Sequence, residues 1–536
     1  MRRLVPAAAA ALVAFILGGC AAPREAGVAQ RYMVAAASPL AAEAGAEVLK
    51  RGGSAVDAAI AVQMVLGLVE PESSGIGGGA FMLHWSETEK KLRTYDGRET
   101  APSAAKPDRF LDSQNKPLPF LEAAVSGRAV GVPGVLRMLE LAHQRHGRLP
   151  WHELFDAAIR IADQGFDASP KLREALERER FLREDAAARK VYYSGPRIVN
   201  REYAETLRAI ARGGAGVFYE GDIAKDMVLA VRTHARPGDM SEDDLQRYRA
   251  LEREPVCGPY RDWRVCSMGP PSSGGVAVLQ MLGLLERAGF TRAPPQSPAA
   301  LHLFAEAGKL AYADRARYLG DPDFVPVPAQ ALLDSNYLDK RAKLIGERAL
   351  QLAAPGDTEA GTSHFSIVDA RGDIVSMTTT IESAFGSRIM VRGFLLNNQL
   401  TDFDFAPGGP NSVAGGKRRR SSMTPTVVFH DQQPALAVGS PGGSMIINYV
   451  AKALVGALGW GLGIQAAIEL PNFGSRNGPT LIEQGSRYEQ SVTSLMERGH
   501  QVDRIPLTSG LHGIQRLPGG WRGGADPRRE GAVRGE

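Results

Sequence analysis

The chain has 536 residues, 44% of them hydrophobic and 23% charged, enough to bury one large core or two ordinary ones. Its 63 Lys and Arg against 59 Asp and Glu leave a formal charge of only +4, which argues against nucleic acid as a partner. Ten His and three Cys never fall into C-x-x-C or H-E-x-x-H spacing, so no metal motif is visible.

Arg2 and Arg3 precede an almost purely apolar stretch, residues 4–19, which is short for a membrane span and has the layout of a secretory signal. It ends Leu17-Gly18-Gly19-Cys20, which resembles a bacterial lipobox and so implies cleavage before Cys20 and lipidation of that cysteine. An ordinary signal peptide with an incidental cysteine is the other reading. The expectation is an exported, periplasmic protein with a lipid anchor; Ala21 after Cys20 leaves the outer membrane open. Residues 20–35 read as a linker.

Ser38-Pro39 opens a helix and Gly52-Gly53 closes it; a second, broadly apolar helix covers 55–68. Residues 71–79, ending Ser74-Gly75-Ile76-Gly77-Gly78-Gly79, lead into a strand at 80–85. No Gly-Lys-Ser/Thr follows, so tight backbone packing beside a pocket suits these glycines better than a phosphate cradle. Residues 149–246 are charged and helical. Cys257 and Cys266 flank a hairpin turning near Arg261 and Asp262; a disulfide across it and two buried free thiols are both consistent. Helices follow at 276–288 and 297–318. Residues 364–369 and 373–381 alternate as two strands around Arg371-Gly372. A strand at 435–438, a Gly439-Ser440-Pro441-Gly442-Gly443 turn and a helix at 444–458 come next. From about Gly519 the chain is Gly- and Arg-rich and reads as loop.

The chemistry centres on Gly361-Thr362-Ser363-His364. Such a threonine is ordinarily only a strand residue, but a small acidic loop, residues 357–361, precedes it and would expose the bond before Thr362. A threonine freed as an N-terminus carries nucleophile and base together, because an α-amino group titrating near ~8 accepts the hydroxyl proton at neutral pH. Ser440 and Ser273 lack the Gly-x-Ser-x-Gly elbow, having Val438 and Pro271 two residues before.

From residue 36 to 529 the sequence closely resembles the γ-glutamyltransferase (glutathione hydrolase) family of N-terminal-nucleophile hydrolases. The matching blocks include Gly52 to Ala59, Ser74 to Gly79, Arg98 to Pro102, Pro270 to Gly275, Ala313-Asp314-Arg315, Thr362 to Ser366, Asn397-Asn398-Gln399, Ser421-Ser422-Met423 and Gly439 to Ser444. The resemblance implies an α+β fold, a four-layer αββα sandwich. A precursor would be cut between Gly361 and Thr362 into a large subunit, 36–361, and a small one, 362–536, sharing one core. Thr362 would be the nucleophile, with Thr380 bonded to it and Gly442 and Gly443 as the oxyanion hole. Arg98, Ser421 and Ser422 would take the substrate's α-carboxylate. Asp402, with Gln399 beside it, would take the α-ammonium, and Glu382 would add negative charge.

The implied reaction needs no cofactor: Thr362 takes the γ-glutamyl group from glutathione and related amides as an ester, then gives it to water or to an amino acid or peptide acceptor. The segment between Asp402 and Ser421 is short, which implies an open, lidless pocket. Arg419-Arg420 stands where many relatives have Pro-Leu. The run from Lys417 to Arg420 reads as a solvated loop, or, beside an open pocket, as a feature favouring acidic substrates. Same-fold alternatives are a poly-γ-glutamate depolymerase and a glutaryl or cephalosporin acylase. The set Arg98, Asp402, Ser421 and Ser422 speaks against a pure glutaryl acylase, whose substrate has no ammonium. A non-catalytic peptide-binding lipoprotein is the alternative of another class.

Overall fold

The computed structural model describes residues 27–351 and 361–536. The signal segment, Cys20 and the acidic approach to the cut fall outside them.

Two seven-stranded antiparallel sheets form the centre. In one, the strands run Val28–Ala29, Gly520–Ala525, His512–Leu517, Gln433–Gly439, Thr426–His430, Trp263–Ser267 and Val256–Tyr260. In the other they run Ala532–Gly535, Met33–Ala36, Gly361–Val368, Ile374–Glu382, Gly79–Ser86, Lys91–Gly97 and Leu251–Arg253.

Strand periodicity distributes the second sheet's side chains between two cores. Met33, Ala35, Phe81 and Leu83 join one apolar cluster with Val265, Val427 and Leu436 of the first sheet, and with the helices Gly274–Arg287, Pro298–Tyr318 and Ile446–Leu454. Val34, Ala36, Met82, Phe365 and Met377 point the other way, onto the helices Pro39–Lys50 and Ala55–Val69. Helices therefore cover both outer faces, and the αββα sandwich implied by the sequence is the fold observed. The Ala55–Val69 helix is fixed at its start by a capping box between Ser54 and Asp57. Its near-uniform apolarity matches its burial.

Two readings are corrected. Residues 20–35 are not all linker: Val28–Ala29 and Met33–Ala36 are strands of the two sheets. The C-terminal segment is not loop either, since Gly520–Ala525 and Ala532–Gly535 close the two sheets. Glycine suits that place because a Cβ at Gly523 would lie 2.4 Å from Val533 Cγ1. The hairpin cysteines face each other across paired strands and form a disulfide, with Cα atoms 4.1 Å apart.

Candidate active site

Thr362 enters the sheet at the start of the Gly361–Val368 strand, opposite Thr380 on Ile374–Glu382, and the register slips between Gly361 and Thr362. Thr362 is buried, and its hydroxyl donates to Thr380 Oγ1 at 3.3 Å. Thr380 in turn donates to the Gly361 carbonyl at 2.6 Å and accepts from the Glu382 amide at 2.8 Å. The carbonyl oxygen of the bond before Thr362 is thus held by the same hydroxyl that contacts the Thr362 hydroxyl.

Below the strand, Ser363 donates to Glu70 at 2.7 Å, and Lys171 lies 3.2 Å from Glu70 and 2.8 Å from Glu72. Lys171 and the Ser363 hydrogen bond draw Glu70 below the usual carboxylate range despite its burial, whereas burial raises Glu72. The glycine approach is as tight as expected: a Cβ on Gly78 would lie 2.1 Å from the Thr380 carbonyl oxygen.

Thr362 and Thr380 open onto a cavity of about 250 Å³. Glu382, Gln399, Asp402, Ser421, Ser422 and Gly443 also line it, so one cavity collects most of the residues the resemblance selected. Gly442 (φ 123°) and Gly443 (φ 54°) adopt backbone that favours glycine. Neither amide N–H finds a hydrogen-bond partner among the described residues. They precede the turn Gly443–Met445 and the helix Ile446–Leu454, where outward-facing donors suit developing negative charge.

Arg98 is fully buried and is not part of the cavity lining. Its Nη1 reaches Met423 Sδ at 3.6 Å, its Nε lies 3.5 Å from Glu99, and Nη2 has no partner among the described residues. A buried guanidinium short of acceptors is suited to a carboxylate ligand. Ser421 and Ser422 are drawn in beside the Pro270–Gly275 loop, where Ser273 donates to the Ser421 carbonyl at 2.6 Å.

Asn398 donates to Glu382 Oε2 at 2.6 Å, but burial and the neighbouring Asp402 charge push the Glu382 carboxyl up to about 8. Burial and the Asp402 charge thus favour the neutral form of Glu382 in the ligand-free site. Burial also raises Asp402, yet Arg98 and Arg315 draw it back, and Arg419 Nη1 lies 3.0 Å from its Oδ2. Gln399 donates to the same oxygen at 3.1 Å.

The basic run from Lys417 to Arg420 is buried, not solvated. Lys417 bonds the carbonyls of Pro410 and Ser412, and Arg418 pairs with Asp96 at 3.3 Å. Arg420 pairs with Asp404 at 3.3 Å and caps the carbonyls of Arg315, Ala316 and Leu319 at the end of Pro298–Tyr318. Burial and Arg315 lower it to about 10.

Sequence reasoning gave no role to Arg315, which bonds Ser422 at 2.9 Å and Ser273 at 2.8 Å, or to Arg476, which donates to Ser444 Oγ at 2.8 Å. Arg315 sat inside a matching block, and that was the available signal. Among the described residues, His302, Glu306 and His500 have the donor types and proximity for a cation. Lys309 Nζ already sits 2.8 Å from Glu306, Gly346 and Thr480 occupy outer ring nitrogens, and none of the three lines the cavity.

Residues 41–536 match the family model described as Gamma-glutamyltranspeptidase. The glutathione hydrolase proenzyme of Bacillus subtilis (strain 168) is 38% identical over 94% of this chain and 91% of its own length. The Acylase ACY 1 proenzyme of Pseudomonas sp. (strain V22) is 34% identical over 92% of this chain and 91% of its own. Among solved structures, the cephalosporin acylase from Bacillus halodurans superposes with a TM-score of 0.86 at 28% identity, over 98% of this chain and 99% of that one.

Proposed function

The chain belongs to the gamma-glutamyltranspeptidase family, and on that premise we propose that it is a self-cleaving enzyme whose Thr362 transfers γ-glutamyl groups from amides, glutathione among them, to water or to amine acceptors. The observation that carries this reading is the hydrogen-bond chain from the Thr362 hydroxyl through Thr380 to the Gly361 carbonyl.

In the precursor, that chain supplies a proton path. As Thr362 Oγ bonds to the Gly361 carbonyl carbon, its proton passes to Thr380, and the Thr380 proton passes to the carbonyl oxygen. As that proton moves from the oxygen to the Thr362 nitrogen, the C=O re-forms and the C–N bond breaks, leaving Gly361 esterified to Thr362 and the Thr362 nitrogen as a free amine. Water hydrolyses the ester and releases residues 362–536 with Thr362 at their head.

The freed α-amino group then serves as base for the Thr362 hydroxyl in each turnover. The attacked γ-carbonyl oxygen meets the Gly442 and Gly443 amides, and its amine leaves with the proton from the threonine. Arg98, Ser421 and Ser422 hold the donor's carboxylate, while Asp402 and Glu382 are the acidic groups nearest its amine. Water or a second amine takes the acyl group from the ester. The leader further supports an exported chain that is lipidated at Cys20 and held to a membrane.

Purified wild type should give two bands on denaturing electrophoresis and turn over γ-glutamyl-p-nitroanilide. Thr362→Ala should stay one band and be inactive. Thr380→Val should lose about 10²- to 10³-fold in both rates, while Thr380→Ser keeps the hydroxyl relay and most of the activity. An uncut Thr362→Ala protein that still releases nitroaniline would remove Thr362 as the nucleophile.

A further inference from the structure

We propose that Arg419 is a specificity-determining residue: by holding Asp402, it weakens the site's demand for an α-ammonium and admits dicarboxylic monoamides that lack one. This rests on the acyl-transfer reading above and adds to it the class of donor.

Asp402 is the carboxylate closest in kind to what a substrate ammonium needs, and it faces the cavity with its side chain 31% exposed. Arg419, 2% exposed, reaches it at 3.0 Å. Arg419 has little else to bond: its Nη1 touches the Arg420 carbonyl at 3.4 Å, and its Nε has no partner among the described residues. Asp402 is the only carboxylate that Arg419 pairs with among the described residues. The pair is costly to separate from the Arg419 side, because the buried guanidinium would be left desolvated.

An ammonium arriving beside Asp402 would share that carboxylate with Arg419 and feel its like charge. Asp404, a second aspartate of the lining, is engaged by Arg420 at 3.3 Å. Glu382 Oε1, which has no partner among the described residues, is left to accept from the ammonium once the arriving cation draws the carboxyl into its ionised form, so γ-glutamyl donors still bind. The carboxylate end of the pocket, lined by Ser421 and Ser422, recognises a five-carbon diacid monoamide whether or not it bears an amine. With such a donor, Thr362 Oγ bonds to the acyl carbon, the amide C–N bond breaks, and the amine leaves with the threonine's proton. Water then cleaves the ester to release the diacid.

The test compares kcat/KM for γ-glutamyl-p-nitroanilide and glutaryl-p-nitroanilide on self-cleaved wild type, Arg419→Leu and Arg419→Lys. Wild type is expected to favour the γ-glutamyl donor by no more than about tenfold. Arg419→Leu should raise that preference by a further tenfold or more, through a lower KM for the γ-glutamyl donor, and Arg419→Lys should stay near wild type. If Arg419→Leu fails to fold, product inhibition of wild type gives the answer. Glutarate and L-glutamate should then have inhibition constants within about tenfold of each other. An unchanged preference in a folded, self-cleaved Arg419→Leu overturns the assignment, as does a wild-type enzyme that prefers the γ-glutamyl donor, or binds L-glutamate over glutarate, by more than about 100-fold. Turnover of neither donor by wild type would instead remove the acyl-transfer reading, and this proposal with it.

Discussion

Glu382 shows how a single buried residue links chemistry and stability. Its carboxyl is almost wholly out of solvent and is pushed from 4.5 to about 8, by burial first and by Asp402 second. A raised carboxyl means the folded chain keeps a proton that the unfolded chain has already lost in that interval. Folding stability from this group is therefore full below about 4.5 and falls as pH climbs toward 8. Burial raises Glu99 as well, to about 7, so it slopes the same way, and the informative comparison is with a variant. Glu382→Gln mimics the protonated form and should flatten the decline in urea midpoint between about pH 5 and 8. Identical slopes in wild type and variant would show that Glu382 is ionised throughout. The residue type was legible in the sequence, but its protonation was not, because that depends on Asp402, twenty positions away in the chain and adjacent in space.

At the level of strands and helices, the site depends on how Gly361–Val368 begins. A Cβ at Gly361 would lie 2.4 Å from the Glu72 carbonyl oxygen, a backbone atom that cannot swing aside. Gly361→Ala should therefore displace the scissile carbonyl from Thr380 and slow self-cleavage by about tenfold or more, a loss of 1.4 kcal/mol or greater in the barrier. Densitometry of freshly purified protein over time would measure it, and wild-type kinetics in that variant would refute the steric argument. Elements with strong local signals were readable from sequence: Pro39–Lys50 opens on a proline, Ala55–Val69 carries its own capping box, and the hairpin around Gly372 (φ 90°) its own turn. Gly520–Ala525 was not, since its glycines are there for close packing and its strand character comes from its neighbours. The Arg419–Asp402 contact was hidden for the same reason. A run of four basic residues reads as a solvated loop until the Asp96, Asp402 and Asp404 carboxylates are brought to it.

Over the whole molecule, the proposed cut before Thr362 would leave two pieces woven through both sheets. Gly361–Val368 lies between Met33–Ala36, from the large piece, and Ile374–Glu382, from the small one. Met33–Ala36 is in turn flanked by Ala532–Gly535, and Val28–Ala29 pairs with Gly520–Ala525. In the other sheet, Trp263–Ser267 pairs with Thr426–His430 across the same division. The large piece is also tied down at Ala349 and Leu350. Leu350 donates to Glu306, its carbonyl accepts from Lys309, and Ala349 bonds the Arg498 carbonyl at 2.8 Å. Separating the pieces would expose the apolar cluster shared by Met33, Phe81, Val427 and Leu436, and would leave strand edges unpaired. The cleaved enzyme should therefore elute from a sizing column as one species at the size of uncut Thr362→Ala, give two bands only after denaturation, and melt in a single transition. Native mass spectrometry should find both pieces in one complex. Separate elution of the two under non-denaturing conditions would mean that the sheets tolerate division, and that the covalent link rather than the shared core holds the precursor together.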